Sequence, residues 1–186
     1  MANGFDGIGR NTSRGYNTHT ISGNVFFPTA PEPDEIHIAD IAHSLSMLTR
    51  FNGHCRWFYS VAQHCVIMSN AVSAEYAFEA LMHDAAEAYI GDLIRPVKAH
   101  CPDWCEIDKR LDGVIRTKFG LPELMSDEVR HWDSVMVATE KRDLLNPSMA
   151  DWAGLPAPAP FRIEPWPQDY AKYRFLERFN ELTGEF

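Results

Sequence analysis

The sequence predicts an all-α protein, a single helical bundle behind an irregular N-terminal arm. Three observations predict it. Apolar residues recur at three- and four-residue spacing over most of residues 35–145. Gly91 and Gly120 end two of those runs, and Pro96 and Pro147 bound others. The chain of 186 residues is 45% hydrophobic and 23% charged, the composition of one globular domain able to bury a core without disulfides.

Residues 1–20 are rich in Gly, Asn and Thr without a period, and read as the irregular arm. Residues 21–28 read as a short strand or hairpin, and Pro31-Glu32-Pro33-Asp34 as a turn. Ile38, Ile41, Ala42, Leu45 and Leu48 place the first helix at 35–49. Val61, Cys65, Met68 and Val72 place the second at about 58–72. Ser73 reads as the N-cap of a third, with Ala77, Leu81, Ala85 and Ala88 on its apolar face, Gly91 at its end and Pro96 bounding the next segment. The fourth helix, about 103–119, carries Ile107, Leu111, Val114, Ile115 and Phe119 and ends at Gly120. The fifth starts after Pro122 or Ser126 and runs to about 145, before Pro147. Six of the twelve prolines fall between 147 and 167, which makes that stretch a tethered loop. Residues 168–183 form a final amphipathic helix. The expected organisation is thus an arm at 1–34, a helical core at 35–145, and a Pro-rich loop with a C-terminal helix packing on that core at 146–186.

Seventeen Lys and Arg against 26 Asp and Glu leave a net charge of −9. Such a surface argues against binding duplex nucleic acid, whose phosphates need clustered cations, but leaves room for a small anion held by a few cations or a metal. No window reaches about 18 apolar residues, so no membrane helix is expected. The start, Met1-Ala2-Asn3-Gly4-Phe5-Asp6-Gly7, lacks the basic stretch and apolar run of a signal peptide. With Cys55, Cys65, Cys101 and Cys105 irregularly spaced, the expectation is a cytoplasmic chain with reduced thiols.

Two polar residues break the apolar stripes. His64 lies between Val61 and Met68, and Asp133 between Val129 and the pair Met136 and Val137. Either alone fits an ordinary core histidine or a helix–helix hydrogen bond. The third helix changes that balance. It carries His83-Asp84-Ala85-Ala86-Glu87, then Gly91-Asp92, so that His83, Asp84 and Glu87 project toward one cleft. An adjacent His-Asp pair offers one nitrogen and one oxygen to a single cation. His64 and Asp133 are available to complete the set, and two His with two carboxylates suit Mn, Fe, Co or Zn rather than Ca.

In the order His … His-Asp … Asp, each on its own helix, the sequence resembles the HD-domain metal-dependent phosphohydrolases. The matching residues are Val61-Ala62-Gln63-His64, the run from His83-Asp84 through Gly91-Asp92 to Pro96-Val97-Lys98, and Asp133, within about residues 35–145. It is most similar to the small 5′-deoxynucleotidases and the phage-type dATP triphosphohydrolases. Leu48-Thr49-Arg50-Phe51-Asn52-Gly53-His54 and Tyr59-Ser60-Val61-Ala62-Gln63-His64 favour the latter. The resemblance implies an HD-type bundle in which His64, His83, Asp84 and Asp133 bind the metal and Glu87 and Asp92 are the catalytic carboxylates. It also implies that Arg50, Lys98 and Arg130 contact substrate phosphate. Phe51 stands where the nucleotidases often carry Trp, at the sugar and base.

The activity so implied is hydrolysis of a deoxynucleotide at the α-phosphorus, dATP to deoxyadenosine and triphosphate first. The alternative is a 5′-deoxynucleotidase releasing phosphate from deoxynucleoside monophosphates, with a non-catalytic nucleotide sensor less favoured. The implied cofactor is Mn, Co, Zn or Fe, with a second divalent ion accompanying the substrate phosphates. The implied partners are the deoxynucleotide and further copies of the chain as a dimer or hexamer, with neither a nucleic-acid polymer nor a membrane. The implied setting is the cytoplasm, the host's if the chain is phage-encoded.

Other signals are thinner. Cys101 and Cys105 with His100 lack the second ligand pair of a structural zinc site. Phe51, Trp57 and Tyr59 offer a base-stacking wall, with helix packing the expected role of Trp57. His54 follows Gly53 in the motif loop, where it approaches a ligand or bonds backbone. Phe26 and Phe27 are expected to cover a neighbouring subunit, and Tyr170, Tyr173, Phe175 and Phe179 to supply core or subunit contact.

Overall fold

A computed structural model describes residues 10–11, 13–147, 150 and 152–184. The predicted arm at 1–9 and 12 lies outside them. Helix accounts for 57% and strand for 5%, so the chain is mostly helical, compatible with the all-α expectation. It divides into two compact units, residues 1–44 with 85–123 and residues 45–84 with 124–186.

The first unit begins with two short antiparallel pairs. Strand β1 (Arg10–Asn11) pairs with β2 (Gly15–Tyr16), and β3 (Thr18–His19) with β4 (Val25–Phe26). The hairpin expected near 21–28 is therefore present. It starts earlier than its apolar residues signalled, because ladder hydrogen bonds do not require them. Phe26 and Phe27 are buried within their own chain, and the Phe26 ring lies 4.3 Å from that of Tyr89. They are core residues rather than the subunit cover expected of them. The turn at 31–34 is a single 3-10 turn, Pro33–Glu35, closed by Glu32 and Glu35 acting as a capping box. Helix α1 (Ile38–Met47) starts three residues later and ends two earlier than its expected span.

The third expected helix is not continuous. It resolves into a 3-10 turn (Ala74–Tyr76), α3 (Ala77–Met82), turns over 83–86 and α4 (Glu87–Ile90). His83 Nδ1 lies 2.8 Å from the carbonyl of Ala80, which a straight helix would give to the amide of residue 84. The side chain displaces the backbone ladder there, a competition invisible to periodicity. Ser73 sits at the N-cap position but supplies no side-chain cap. Gly91 stops the segment at φ +69°, where a side chain would be strained.

In the first unit α5 (Arg95–Lys98) leads to α6 (Pro102–Phe119), which closes on left-handed Gly120 as predicted. Ile36, Ile41, Leu111 and Ile115 are fully buried.

The second unit holds α2 (Val61–Ala71), α3, α7 (Asp127–Leu144) and α8 (Gln168–Thr183). Ser60 caps α2 through the amide of Gln63, and Ser126 caps α7 through that of Val129. Met68, Ala77, Ala80, Val129, Met136 and Ile163 form one apolar cluster, and Phe175 and Phe179 of α8 are buried. Tyr170 and Tyr173 on the same helix are exposed, as amphipathicity requires. The described residues between Pro147 and Pro167 form no helix or strand. Their polar backbone is satisfied by side chains. Gln63 accepts from Trp166 N and donates to Glu164 O, Thr139 accepts from Ala159 N, and Asp143 accepts from Ile163 N.

Candidate metal centre

The turn that follows α3, residues 83–86, brings His83 and Asp84 to the same point as His64 of α2 and Asp133 of α7. All four belong to the second unit. His64 Nε2 lies 3.3 Å from His83 Nε2, 3.4 Å from Asp133 Oδ1 and 3.9 Å from Asp84 Oδ2. His83 Nε2 lies 3.2 Å from Asp84 Oδ2. His64, His83 and Asp133 offer ligand atoms that all lie within 4.8 Å of one another, and so do Cys65, His83 and Asp84. His64 and His83 are buried, while the Asp133 side chain keeps 35% exposure, so the cluster opens on its aspartate side.

The outer contacts decide which ring nitrogens face inward. His64 Nδ1 donates to Glu140 Oε1 at 2.7 Å, and His83 Nδ1 donates to the Ala80 carbonyl. In the neutral imidazoles each Nε2 is then the lone-pair nitrogen, and both Nε2 atoms face the same space as the two aspartate oxygens. Two facing acceptors at 3.3 Å repel unless a cation or a proton lies between them.

Glu140 is the residue that sequence reasoning missed. It is fully buried and also meets Arg50 at 3.2 Å, while Arg50 reaches Asp84 at 3.5 Å. A signal existed, since Glu140 lies two turns from Asp133 and four residues from Met136 on the same stripe. Three carboxylates and one guanidinium leave the cluster at −2 with neutral imidazoles. A divalent cation balances that charge. The donor set of two nitrogens and two carboxylate oxygens fits a first-row transition metal.

The titration tendencies agree. Burial works against ionised Asp84, but His83, His64 and Arg50 hold its carboxyl far below the usual range. Burial likewise opposes ionised Asp133 and Glu140, and His64 and Arg50 respectively lead the neighbours that lower them. Burial and Arg50 disfavour a charged His64, yet Glu140 and Asp133 outweigh them and raise its pKa. Burial also opposes a charged His83, but Asp84 dominates and raises it well above the usual value. The acids draw positive charge into a buried space, and a metal ion answers the same demand as a proton.

The remaining predicted site residues are placed as follows. Arg50 begins a short 3-10 segment, Arg50–Gly53, in which Phe51 and Asn52 have φ of +53° and +50°, a conformation costly for side-chain-bearing residues. Phe51 lies 6.1 Å from the ring of Trp152. Arg130 is exposed near the start of α7 and bonds Asp127 and the Met125 carbonyl. In the first unit, Glu87 is buried in the first turn of α4, and Asp92 pairs with Lys98 at 2.7 Å. Tyr59 is fully buried in the apolar cluster and forms no stacking wall, whereas Trp57, expected to pack on a helix, is 53% exposed. His100, Cys101 and Cys105 form no potential metal group among the described residues.

These features define a mostly helical protein whose helices converge on a buried group of His and Asp side chains able to hold a metal. The chain is 46% identical to Uncharacterized protein YfdR of Escherichia coli (strain K12) over 167 residues, covering 88% of this chain and 94% of that protein, and it belongs to the YfdR family. It is also 34% identical, over 110 residues, to an uncharacterized protein of Rhodobacter capsulatus, covering 54% of this chain and 56% of that one. No protein-family model matches the chain. Among the described residues no helix is long and apolar enough to cross a membrane.

Proposed function

We propose that the chain is a divalent-metal-dependent phosphohydrolase of the HD type, acting on deoxynucleotides at the α-phosphorus. The observation that carries this reading is the buried convergence of His64, His83, Asp84 and Asp133 in a cluster whose charge of −2 matches one divalent ion. A bound Mn, Co, Zn or Fe would supply Lewis acidity toward a phosphoryl oxygen and a water acidic enough to attack near neutral pH. The residues of the chain do the rest. Glu140 and the Ala80 carbonyl hold the two imidazoles in the tautomer that ligates. Arg50 offsets part of the carboxylate charge beside the position where phosphate oxygens approach. Glu87, four residues beyond His83, orients the attacking water and takes its proton, and Asp92 assists at the sugar end.

The preferred substrate is dATP, cleaved to deoxyadenosine and triphosphate, on the strength of the segment from Arg50 to His64. A second reading, 5′-deoxynucleotidase, has one structural observation in its favour. Arg50, the cation at the cluster, already faces Asp84 and Glu140, which suits one phosphate better than three unless a second divalent ion accompanies the substrate. Self-association and action in the cytoplasm belong to the same proposal.

The test is a product assay on metal-stripped protein resupplied with Mn, Co or Zn and offered each deoxynucleoside mono- and triphosphate separately. Deoxyadenosine with intact triphosphate supports the first reading. Phosphate from several monophosphates, with triphosphates untouched, moves the chain to the second. No turnover with any metal overturns both and leaves a nucleotide sensor.

A further inference from the structure

Outside the metal cluster, the second unit carries an open groove of about 520 Å³ lined by Arg56, Trp57, Arg142, Asp143, Arg162 and Glu164, among others. Three arginines meet there on a chain of net charge −9. Their roles differ. Arg142 is committed to structure, gripping both oxygens of Asp143 and donating to the Ala159 and Phe161 carbonyls. Asp143 is correspondingly neutralised, and its side chain is only 5% exposed. Among the described residues the Arg56 guanidinium donates to the Asp143 carbonyl and the Arg162 guanidinium to the Asp143 carboxylate. The Arg162 side chain is 73% exposed. The Arg56 guanidinium lies 4.3 Å from the centre of the Trp57 ring, and Trp57 is 53% exposed at the groove. Three arginines against Asp143 and Glu164 leave the groove with net positive charge.

An exposed indole beside one arginine, in a groove that a second exposed arginine also lines, suits a planar ring bearing an anion. We propose that this groove is a second binding site, taking a nucleoside monophosphate with its base on Trp57 and its phosphate at Arg56 and Arg162. The volume lies in the range of small-molecule sites. The site is also tied to the metal cluster by covalent geometry. Residues 50–59 form a loop closed at its neck by Arg50 N to the Tyr59 carbonyl and Val61 N to the Leu48 carbonyl. One side of that loop places Arg50 against Asp84 and Glu140, and the other places Arg56 and Trp57 in the groove.

The experiment is titration of the whole chain with adenosine 5′-monophosphate, adenosine and inorganic phosphate, with chromatography confirming that the nucleotide stays intact. Both Trp57→Ala and Arg162→Ala change exposed side chains, and circular dichroism checks that they fold. Each is expected to weaken binding of the monophosphate about tenfold or more, the scale of one lost base stack or phosphate contact. Asp84→Asn is expected to keep it. Adenosine and phosphate alone bind far more weakly than the joined molecule. The proposal is overturned if no binding is seen, if both groove variants bind like the parent, if Asp84→Asn abolishes binding, or if phosphate alone binds as tightly as the nucleotide.

Discussion

Glu140→Gln tests whether the buried acid behind His64 organises the metal cluster. The substitution keeps the volume of a side chain with no solvent exposure. The carboxylate serves two donors at once, His64 Nδ1 at 2.7 Å and Arg50 at 3.2 Å. An amide can accept from only one of them and turns its own N–H toward the other. One charge-assisted hydrogen bond is lost, worth about 1.5–3 kcal/mol. Arg50 loses a fully buried carboxylate partner and keeps its longer contact to Asp84 at 3.5 Å, so the cost moves toward the upper end, about 3 kcal/mol. For a chain of this size that lowers Tm by about 6–12 °C. The cluster charge falls from −2 to −1 and the His64 ring loses its anchor, which weakens metal binding about 10–100-fold. Calorimetric unfolding reads the first effect, and titration of metal-stripped protein with Mn or Co reads the second. Glu177→Gln on the solvent-facing side of α8, where the partly exposed acid pairs with Arg174, is the control and should move neither. A Glu140→Gln protein with parental Tm and parental metal affinity would refute the argument that outer contacts set the tautomer and charge of the site.

Asp84→Asn is expected to abolish metal binding while the far-ultraviolet spectrum stays helical, since an amide replaces a charged ligand at the point of convergence; full metal occupancy by analysis would contradict the ligand assignment. Glu87→Ala should retain the metal and lose most of kcat in the product assay, and an unchanged rate removes its acid–base role. Chelation should lower Tm and resupplied metal should restore it, by about 2.7 kcal/mol when free metal is a hundredfold above its dissociation constant; a Tm indifferent to chelator and metal counts against a folded-state site. Asp143 is held down to about 2 from 3.8, burial being outweighed by Arg142, Ile163 N and Arg162. A depressed carboxylate contributes stability that is complete above its unfolded pKa, so this contribution should fade as pH falls from about 4 through about 2. With exposed Arg162 screening part of it, the expected size is about 1–2 kcal/mol. Asp143→Asn should flatten that part of the acid-unfolding curve, and an identical curve would show that the carboxylate does not carry it.

The sequence by itself determined the mostly helical class and the ends of the long helices. Gly120 closes α6 and Ser126 opens α7 through local chemistry, a left-handed residue and a side-chain cap, which needs no distant partner. It also marked His64, His83, Asp84 and Asp133 as polar residues on or beside apolar stripes, because burying them without a partner would be costly. The break after α3, where His83 takes the carbonyl the helix would use, is a local competition that apolar spacing does not report. Tertiary structure alone decided that Arg50 is held by Asp84 and Glu140, residues 34 and 90 positions away. The orientation of the two imidazoles was decided there too. A ring nitrogen points where its hydrogen-bond partner lies, and for His64 that partner comes from another helix, at a distance along the chain that no local period encodes.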